Sequence, residues 1–157
     1  METKPKVALY LRYANDISTK SKLITALYCR TAQECDMGIE TQERILRNYA
    51  EENNLGNVSV YMDNGYSGLN FDRPAMHRLK ADVDAGLVKF MLVKDISRIS
   101  RNFSEIPQFL EEMWIKGVTV KSIQDGFDSE ERIYELREIM QAFNQFYMKS
   151  KRRDKAL

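Results

Sequence analysis

Short apolar runs alternate with longer segments of helical periodicity along most of this chain, and this alternation restricts the possible fold more than any other feature. A strand followed by a helix and another strand is the unit from which parallel sheets are built. We therefore predict an α/β domain with a mainly parallel sheet of four to five strands. The strand-like runs lie at about 26–32, 58–62, 90–93 and 118–123, and the helical patterns at about 39–54, 74–85, around 106–113 and 131–153.

Charged side chains follow the ends of three of these strands. Arg30, Asp63 and Arg98 each lie at or just after such an end. Ligands of parallel sheets collect at the carboxyl ends of the strands, so we expect these three groups to converge at one edge. A nucleotide-binding doubly wound domain is disfavoured, because residues 31–38 contain a single glycine where a phosphate-binding loop would be Gly-rich.

The segment 93–102, VKDISRISRN, carries Arg98 and Arg101 three residues apart. In a helical turn both guanidinium groups would project from roughly one face. Such a pair is either an ordinary solvated surface or a binding site for an oxyanion such as phosphate. Ile96 and Ile99 would anchor the same segment to a core, which favours the phosphate interpretation.

Composition excludes several classes of protein. The 157 residues suit one globular domain, and the formal net charge of +1 leaves room only for a local basic patch. No apolar run approaches the roughly 20 residues of a membrane span, and the N-terminus does not read as a signal peptide, so we expect a cytoplasmic protein. Cys29 is expected to be a buried thiol, and His77 an exposed helix residue. His77 lacks partners at zinc-ligand spacing, so we do not expect a zinc site, and a metal-dependent mechanism would have to rest on carboxylates alone.

The two ends of the chain differ from its middle. Residues 8–14, ALYLRYA, echo 26–32, ALYCRTA, so we interpret 1–22 as an N-terminal extension with a partial copy of the first strand and 23–130 as the core. Residues 131–157 are expected to form a long amphipathic helix that either closes the core or packs on a partner, with a basic end that contacts nucleic acid. The basic residues are Lys149, Lys151, Arg152 and Arg153.

Four motifs carry a resemblance to a known family: YCR at 28–30, IETQ at 39–42, DNGYSGLNFDRP at 63–74 and VKDISRISRN at 93–102. Together they resemble the catalytic domain of the serine recombinases, the resolvase and invertase family, and most of all the large serine recombinases. The resemblance implies a resolvase-like three-layer domain with a long C-terminal helix. It also implies a site-specific recombinase that acts on double-stranded DNA as a dimer or tetramer. The reaction would pass through a phosphoserine link and would need no metal, nucleotide or other cofactor and no small-molecule substrate.

The same resemblance implies roles for individual residues. Four arginines would clamp the scissile phosphate and stabilise the charge that develops on it. They are Arg30, Arg73, Arg98 and Arg101. The supporting residues would be Asp63, which orients the cluster, Ser67 beside it, and Ser97, where many small resolvases have Asp.

One position departs from the family in a way that affects the chemistry. The family pattern after the first strand is Tyr-x-Arg-x-Ser, with the serine as nucleophile, and here that position holds Ala32. Thr31 is a poor substitute, since neighbouring side chains on a strand point to opposite faces. Ser18 and Ser21 precede the strand, and Gln145 stands where the family often has Glu. We expect a recombinase catalytic domain that is deficient in cleavage, with Ala32 either natural or engineered. The alternative is a silent homologue that acts as a DNA-binding or dimerising regulator.

Overall fold

A five-stranded sheet flanked by helices forms the part of the protein that the computed structural model describes, residues 23–131. Its strands are β1 (Ile24–Thr31), β2 (Val58–Asn64), β3 (Val88–Val93), β4 (Thr119–Ser122) and β5 (Phe127–Asp128). Its complete α-helices are α1 (Asp36–Glu52), α2 (Pro74–Asp84) and α3 (Ile106–Ile115), and 3-10 turns span Ile96–Arg98 and Phe103–Glu105.

The strand order is β2-β1-β3-β4-β5, with β1 to β4 parallel and β5 antiparallel to β4. The predicted α/β class and mainly parallel sheet are thereby confirmed. β1 lies between β2 and β3, so the chain crosses to one side of β1 after α1 and to the other after α2. Such a reversal leaves a crevice at the carboxyl ends of the strands, which is where open α/β sheets bind ligands.

Helices cover both faces of the sheet, which gives the expected three layers. Alternate residues of β1 enter different cores, because successive side chains of a strand point to opposite faces. Ala26 and Tyr28 pack with α2 and α3, whereas Leu27 and Cys29 pack with α1. Because β1 is buried along nearly its whole length, its sequence is mostly apolar, and its polar residues, Thr25, Arg30 and Thr31, are buried too.

The observed elements differ from the expected ones mainly at their ends. α1 begins at Asp36, three residues before the apolar periodicity, because Asn64 donates to the Asp36 carboxylate (2.8 Å) and accepts from the Cys35 N–H (2.8 Å). β2 continues through Asp63 and Asn64, whose polar side chains resemble a loop in the sequence. β5 is too short for a recognisable pattern. The expected N-terminal extension and the expected C-terminal helix lie outside the described residues.

Candidate functional site

The end of β1 is held in place by a side chain of α1. Pairing of β1 with β3 ends at Leu27, which leaves the backbone of Arg30 without a strand partner on that side. The Gln42 amide fills the gap: its oxygen accepts from the Arg30 N–H (3.1 Å) and its nitrogen donates to the Arg30 C=O (2.9 Å). A buried peptide group without hydrogen-bond partners costs free energy, so these two bonds, which we call the Gln42 clip, stabilise the end of the strand. Helical periodicity does not predict this role of Gln42, and its one signal in the sequence is a polar residue within an apolar helical stripe.

The Arg30 side chain is fully buried and donates only to backbone carbonyls. Its Nε donates to the Arg98 C=O (3.0 Å), its Nη2 to the Ser97 C=O (2.7 Å) and its Nη1 to the Tyr66 C=O (3.0 Å). These acceptors are neutral, so they satisfy the guanidinium without neutralising its charge. Burial, followed by repulsion from Arg73, lowers the pKa of Arg30 to about 10, and the group remains protonated at neutral pH.

Arg73, at the N-cap of α2, reaches the same turn from the other side. Its Nη1 donates to the Arg98 C=O (3.1 Å) and its Nη2 to the Ile99 C=O (2.5 Å), while its buried Nε has no hydrogen-bond partner among the described residues. The guanidinium lies 5.5 Å from the centre of the Tyr28 ring. Burial lowers the pKa of Arg73, an effect opposed by the attraction of Tyr28 and Asp63.

Asp63 organises the start of α2. Its carboxylate is buried and accepts from the Ala75 N–H (2.8 Å), the Met76 N–H (3.1 Å) and the Tyr28 hydroxyl (2.7 Å). A carboxylate at a helix N-terminus satisfies free N–H groups and interacts favourably with the helix dipole. Asp63 thereby fixes the helix whose N-cap is Arg73. Burial, with the bond to Asp63, raises the pKa of Tyr28 well above its usual value.

The turn after β3 supplies both a guanidinium and the carbonyls described above. Arg98 donates through Nε to Asp95 (3.2 Å) and through Nη1 to the Arg30 C=O (3.0 Å). The Ser97 hydroxyl donates to the other oxygen of Asp95. Burial opposes ionisation of Asp95, but the Ser97 hydrogen bond and the Arg98 charge outweigh it and hold the pKa of that carboxyl below its usual range.

Arg101 is the most accessible of the four arginines. The 3-10 turn ends at Arg98, so Arg101 lies beyond it, exposed, with its backbone N–H bonded to the Gly68 C=O (2.9 Å). Its guanidinium has no hydrogen-bond or ion-pair partner within residues 23–131. Ser67 is exposed on the neighbouring loop, where its hydroxyl accepts from the Leu69 N–H (3.1 Å) and shapes the loop.

Ala32 lies half-buried directly after β1 and offers only a methyl group. The adjacent Thr31 hydroxyl is already engaged, because it donates to the Asn64 side-chain oxygen (2.7 Å), whose own amide nitrogen binds Asp36. The expected convergence of strand-end residues is thus observed: Arg98 contacts Arg30, and Arg30 pairs in register with Asp63. The remaining expected site residues, Lys149, Lys151, Arg152 and Arg153, lie outside the described part of the chain, as do Ser18, Ser21 and Gln145.

Two further groups of residues bear on other classes of site. The exposed His77 of α2 contacts Asp72 (2.7 Å), and Cys29 is a buried free thiol, both as expected. Between residues 23 and 131, no three His, Cys, Asp or Glu side chains are grouped so that they could hold a metal ion. Over the same range, no helix is long and apolar enough to cross a membrane.

Comparisons with known proteins point to one family. Residues 25–156 match the family model described as Resolvase, N terminal domain, whereas no curated protein sequence matches the chain. Three of the similar solved structures show the extent of the likeness. The N-terminal catalytic domain of TP901-1 integrase is 26% identical with a TM-score of 0.71, and the match covers 82% of this chain and 98% of that one. A resolvase family site-specific recombinase from Streptococcus pneumoniae is 26% identical with a TM-score of 0.61 and coverages of 86% and 99%. The C-terminal catalytic domain of ISC1926 TnpA, an IS607-like serine recombinase, is 25% identical with a TM-score of 0.56 and coverages of 77% and 82%.

Proposed function

Because this chain belongs to the resolvase family of serine recombinases, we propose that it is a recombinase catalytic domain that binds the phosphates of double-stranded DNA but does not cut them. One observation carries the proposal. Three arginines meet around the end of β1, a fourth follows them, and Ala32 stands where the family pattern has its nucleophilic serine.

The retained arginines suit a phosphate because most of their charge is not cancelled. Arg30 and Arg73 are bonded to carbonyl oxygens, Arg98 shares one carboxylate, and Arg101 is open to solvent. Fixed positive charge in a partly buried site attracts an anion more strongly than the same charge in water. We propose that Arg101 and Arg98 contact the phosphate directly, whereas Arg30 and Arg73 hold the turn and add to its field. Asp63, Ser67 and Ser97 support this arrangement.

The cleavage step that we propose this chain lacks is the attack of a serine oxygen on phosphorus. In the family reaction a serine oxygen forms a bond to phosphorus, the bond from phosphorus to the 3′ oxygen breaks, and that oxygen leaves with a proton. The methyl carbon of Ala32 has no lone pair with which to form the first bond. The Thr31 hydroxyl donates to an amide oxygen, which is too weak a base to activate it.

A covalent trapping experiment tests this proposal. Duplexes that the protein retains from a random pool would be nicked to make a suicide substrate, and we expect no covalent protein–DNA band on a denaturing gel. Ala32→Ser should give a band that is lost again when Arg98→Ala is added, whereas Ala32→Gly, which adds no hydroxyl, should give none. A band from the unmodified protein would overturn the proposal, and Thr31→Val would then show whether Thr31 formed it.

The phosphate contacts predict a particular salt dependence. Each phosphate contact that is lost should reduce the slope of log K against log salt concentration by about 0.9. We therefore expect Arg101→Ala and Arg98→Ala each to weaken DNA binding and flatten this slope by about one unit. Arg44→Ala, on the exposed side of α1, removes the same charge away from the site and should leave the slope nearly unchanged. Equal slopes for all three variants would show that the arginines at the site do not contact phosphate.

The two candidate functions differ in their partners. For the recombinase catalytic domain, we propose that the chain forms a homodimer or tetramer through residues 131–153 in the cytoplasm. Its DNA contacts there would be Lys149, Lys151, Arg152 and Arg153. A regulatory homologue would instead enter mixed oligomers with an active recombinase and lower its activity. If Ala32→Ser binds DNA but forms no adduct, and the unmodified chain inhibits an active recombinase when mixed with it, the regulatory function is favoured.

A further inference from the structure

The turn between β4 and β5 is hydrogen-bonded to the segment that leads to Arg98. The Ile123 N–H donates to the Val93 C=O (3.0 Å), and the Gln124 N–H donates to the Lys94 C=O (2.8 Å). The next residue, Asp125, accepts from the Ile96 N–H (2.8 Å) through Oδ2. Three successive residues of this turn therefore hold the chain where it leaves β3.

Ile96 is the first residue of the 3-10 turn Ile96–Arg98, and its N–H is one of the donors that such a turn leaves free at its start. Asp95, the residue before it, provides no side-chain cap. The carboxylate of Asp125, from a distant part of the chain, serves as the cap instead. A charge-assisted bond to a backbone N–H is among the stronger hydrogen bonds in proteins, so it fixes the start of the turn firmly.

The other side of this turn is the phosphate site. The carbonyls of Ser97, Arg98 and Ile99 accept from Arg30 and Arg73, and the Arg98 guanidinium comes from the same turn. A shift at Ile96 would therefore move both the Arg98 side chain and the acceptors of the two buried arginines.

A local role for Asp125 is also visible. The same Oδ2 accepts from the Ser122 hydroxyl (2.6 Å), and Gly126 follows at φ +60°, both of which are typical of a tight turn. Closing its own turn does not require Asp125 to bind the Ile96 N–H, which lies 29 residues away in sequence. The long-range bond is what connects this turn with the site.

We propose that Asp125 is a positioning residue of the phosphate site, which acts by fixing the Ile96 N–H and through it Arg98. The inference rests on the proposed function, since it names a residue that the same DNA contact requires. Asp125 is not expected to touch the phosphate, which its negative charge would repel.

Measurements of DNA affinity distinguish a positioning role of Asp125 from a direct effect of its negative charge. Asp125→Ala removes a negative charge, which alone would strengthen DNA binding, yet we expect binding on the order of fivefold to tenfold weaker because a charge-assisted contact is displaced. Asp125→Asn keeps an acceptor oxygen for Ile96 and should bind within about twofold of the unmodified protein. Asp128→Ala removes the same charge from the same hairpin, where Asp128 binds Lys121 (2.5 Å), and should not weaken binding. Equal affinities for the two alanine variants would overturn the inference.

Two further measurements distinguish failure of the inference from failure of the proposed function. In an Arg98→Ala background, Asp125→Ala should cause only a small additional loss of affinity, which comes from the displaced acceptors of Arg30 and Arg73; a full additional loss would show that Asp125 does not act through Arg98. Amide hydrogen exchange of residues 94–99 should be faster in Asp125→Ala, but not in Asp125→Asn or Asp128→Ala. If the unmodified protein binds no DNA, the proposed function fails and exchange alone decides the positioning role. Unchanged exchange in Asp125→Ala would overturn that role whatever the DNA affinity.

Discussion

At the scale of single residues, Gly68 shows how closely the loop after β2 approaches the arginines. A Cβ atom at this position would lie 2.6 Å from Nη2 and 2.8 Å from Cζ of Arg30, and 3.0 Å from Cγ of Arg101. The Arg30 guanidinium cannot move away easily, because three carbonyls hold it. Only glycine therefore lets the loop carry the Gly68 C=O to the Arg101 N–H.

We predict that Gly68→Ala lowers the free energy of unfolding by about 1–3 kcal/mol, the usual cost of forcing extra volume into a packed site. It should also weaken DNA binding, since it displaces two arginines. Gly56→Ala is the matched control, because nothing lies within 4 Å of its added Cβ; it should change the unfolding free energy by less than about 0.5 kcal/mol. Urea denaturation of both variants measures the change in unfolding free energy. Similar midpoints for the two variants would contradict the close approach of Gly68 to Arg30 and Arg101.

The sequence predicted which arginines gather, but not which atoms they bind. Arg30 and Arg98 were expected near each other because both follow strand ends, and they are in contact. The carbonyl acceptors of Arg30 depend on the backbone path of residues 97–99, and a one-dimensional pattern of side chains contains no information about where carbonyl oxygens point. The hydrogen bond from the Ser97 hydroxyl to Asp95 likewise depends on the backbone conformation of the turn, which side-chain patterns do not predict.

At the scale of elements, α1 does more than cover one face of the sheet. Ile39, Leu46 and Ala50 bury its apolar stripe against the sheet, and Gln42 in the same stripe supplies the peptide-like partner that β3 does not provide. Helical periodicity predicts the stripe well. It cannot predict the clip, because that depends on β3 pairing with β1 only as far as Leu27.

We predict that Gln42→Leu lowers the free energy of unfolding by about 2–3 kcal/mol, because the buried Arg30 N–H loses its acceptor while the space stays filled. Gln42→Glu should also be destabilising at neutral pH, because a buried carboxylate oxygen would then face the Arg30 C=O. Gln108→Leu, at an exposed position of α3, serves as the control for the amide-to-alkyl change. A Gln42→Leu protein as stable as Gln108→Leu would show that the clip is unimportant.

At the scale of the whole molecule, the alternation of strands and helices predicted the class and the parallel sheet, but not the order of its strands. A pattern identifies a strand without identifying its neighbours, and only the order β2-β1-β3 creates the crevice at the end of β1. β5 contains two residues, too few for any periodicity. The proposed oligomerisation is a prediction at this scale, and it is inferred from the apolar stripe that the sequence shows at 131–153.

We predict that the protein self-associates in sedimentation experiments and that Leu136→Glu, on that stripe, weakens the association by about tenfold or more, because it places a charge among apolar side chains. Gln141→Glu adds the same charge outside the stripe of Ile133, Leu136, Ile139, Met140 and Phe143 and should have little effect. A protein that stays monomeric at all concentrations would contradict the proposed dimer.

Arg30 and Arg73 both donate to the Arg98 carbonyl, and each also has acceptors of its own, which gives the two arginines a structural role with an evolutionary consequence. Replacing Arg30 would leave the Ser97 and Tyr66 carbonyls without this donor, and replacing Arg73 would do the same to the Ile99 carbonyl. Selection for a folded chain alone would therefore favour both arginines even without cleavage. Position 32 is under no such constraint. A lineage of this kind could lose its chemistry through a single serine-to-alanine change and keep the rest of the pocket intact for generations. Because one nucleotide separates an alanine codon from a serine codon, the loss would also be open to reversion.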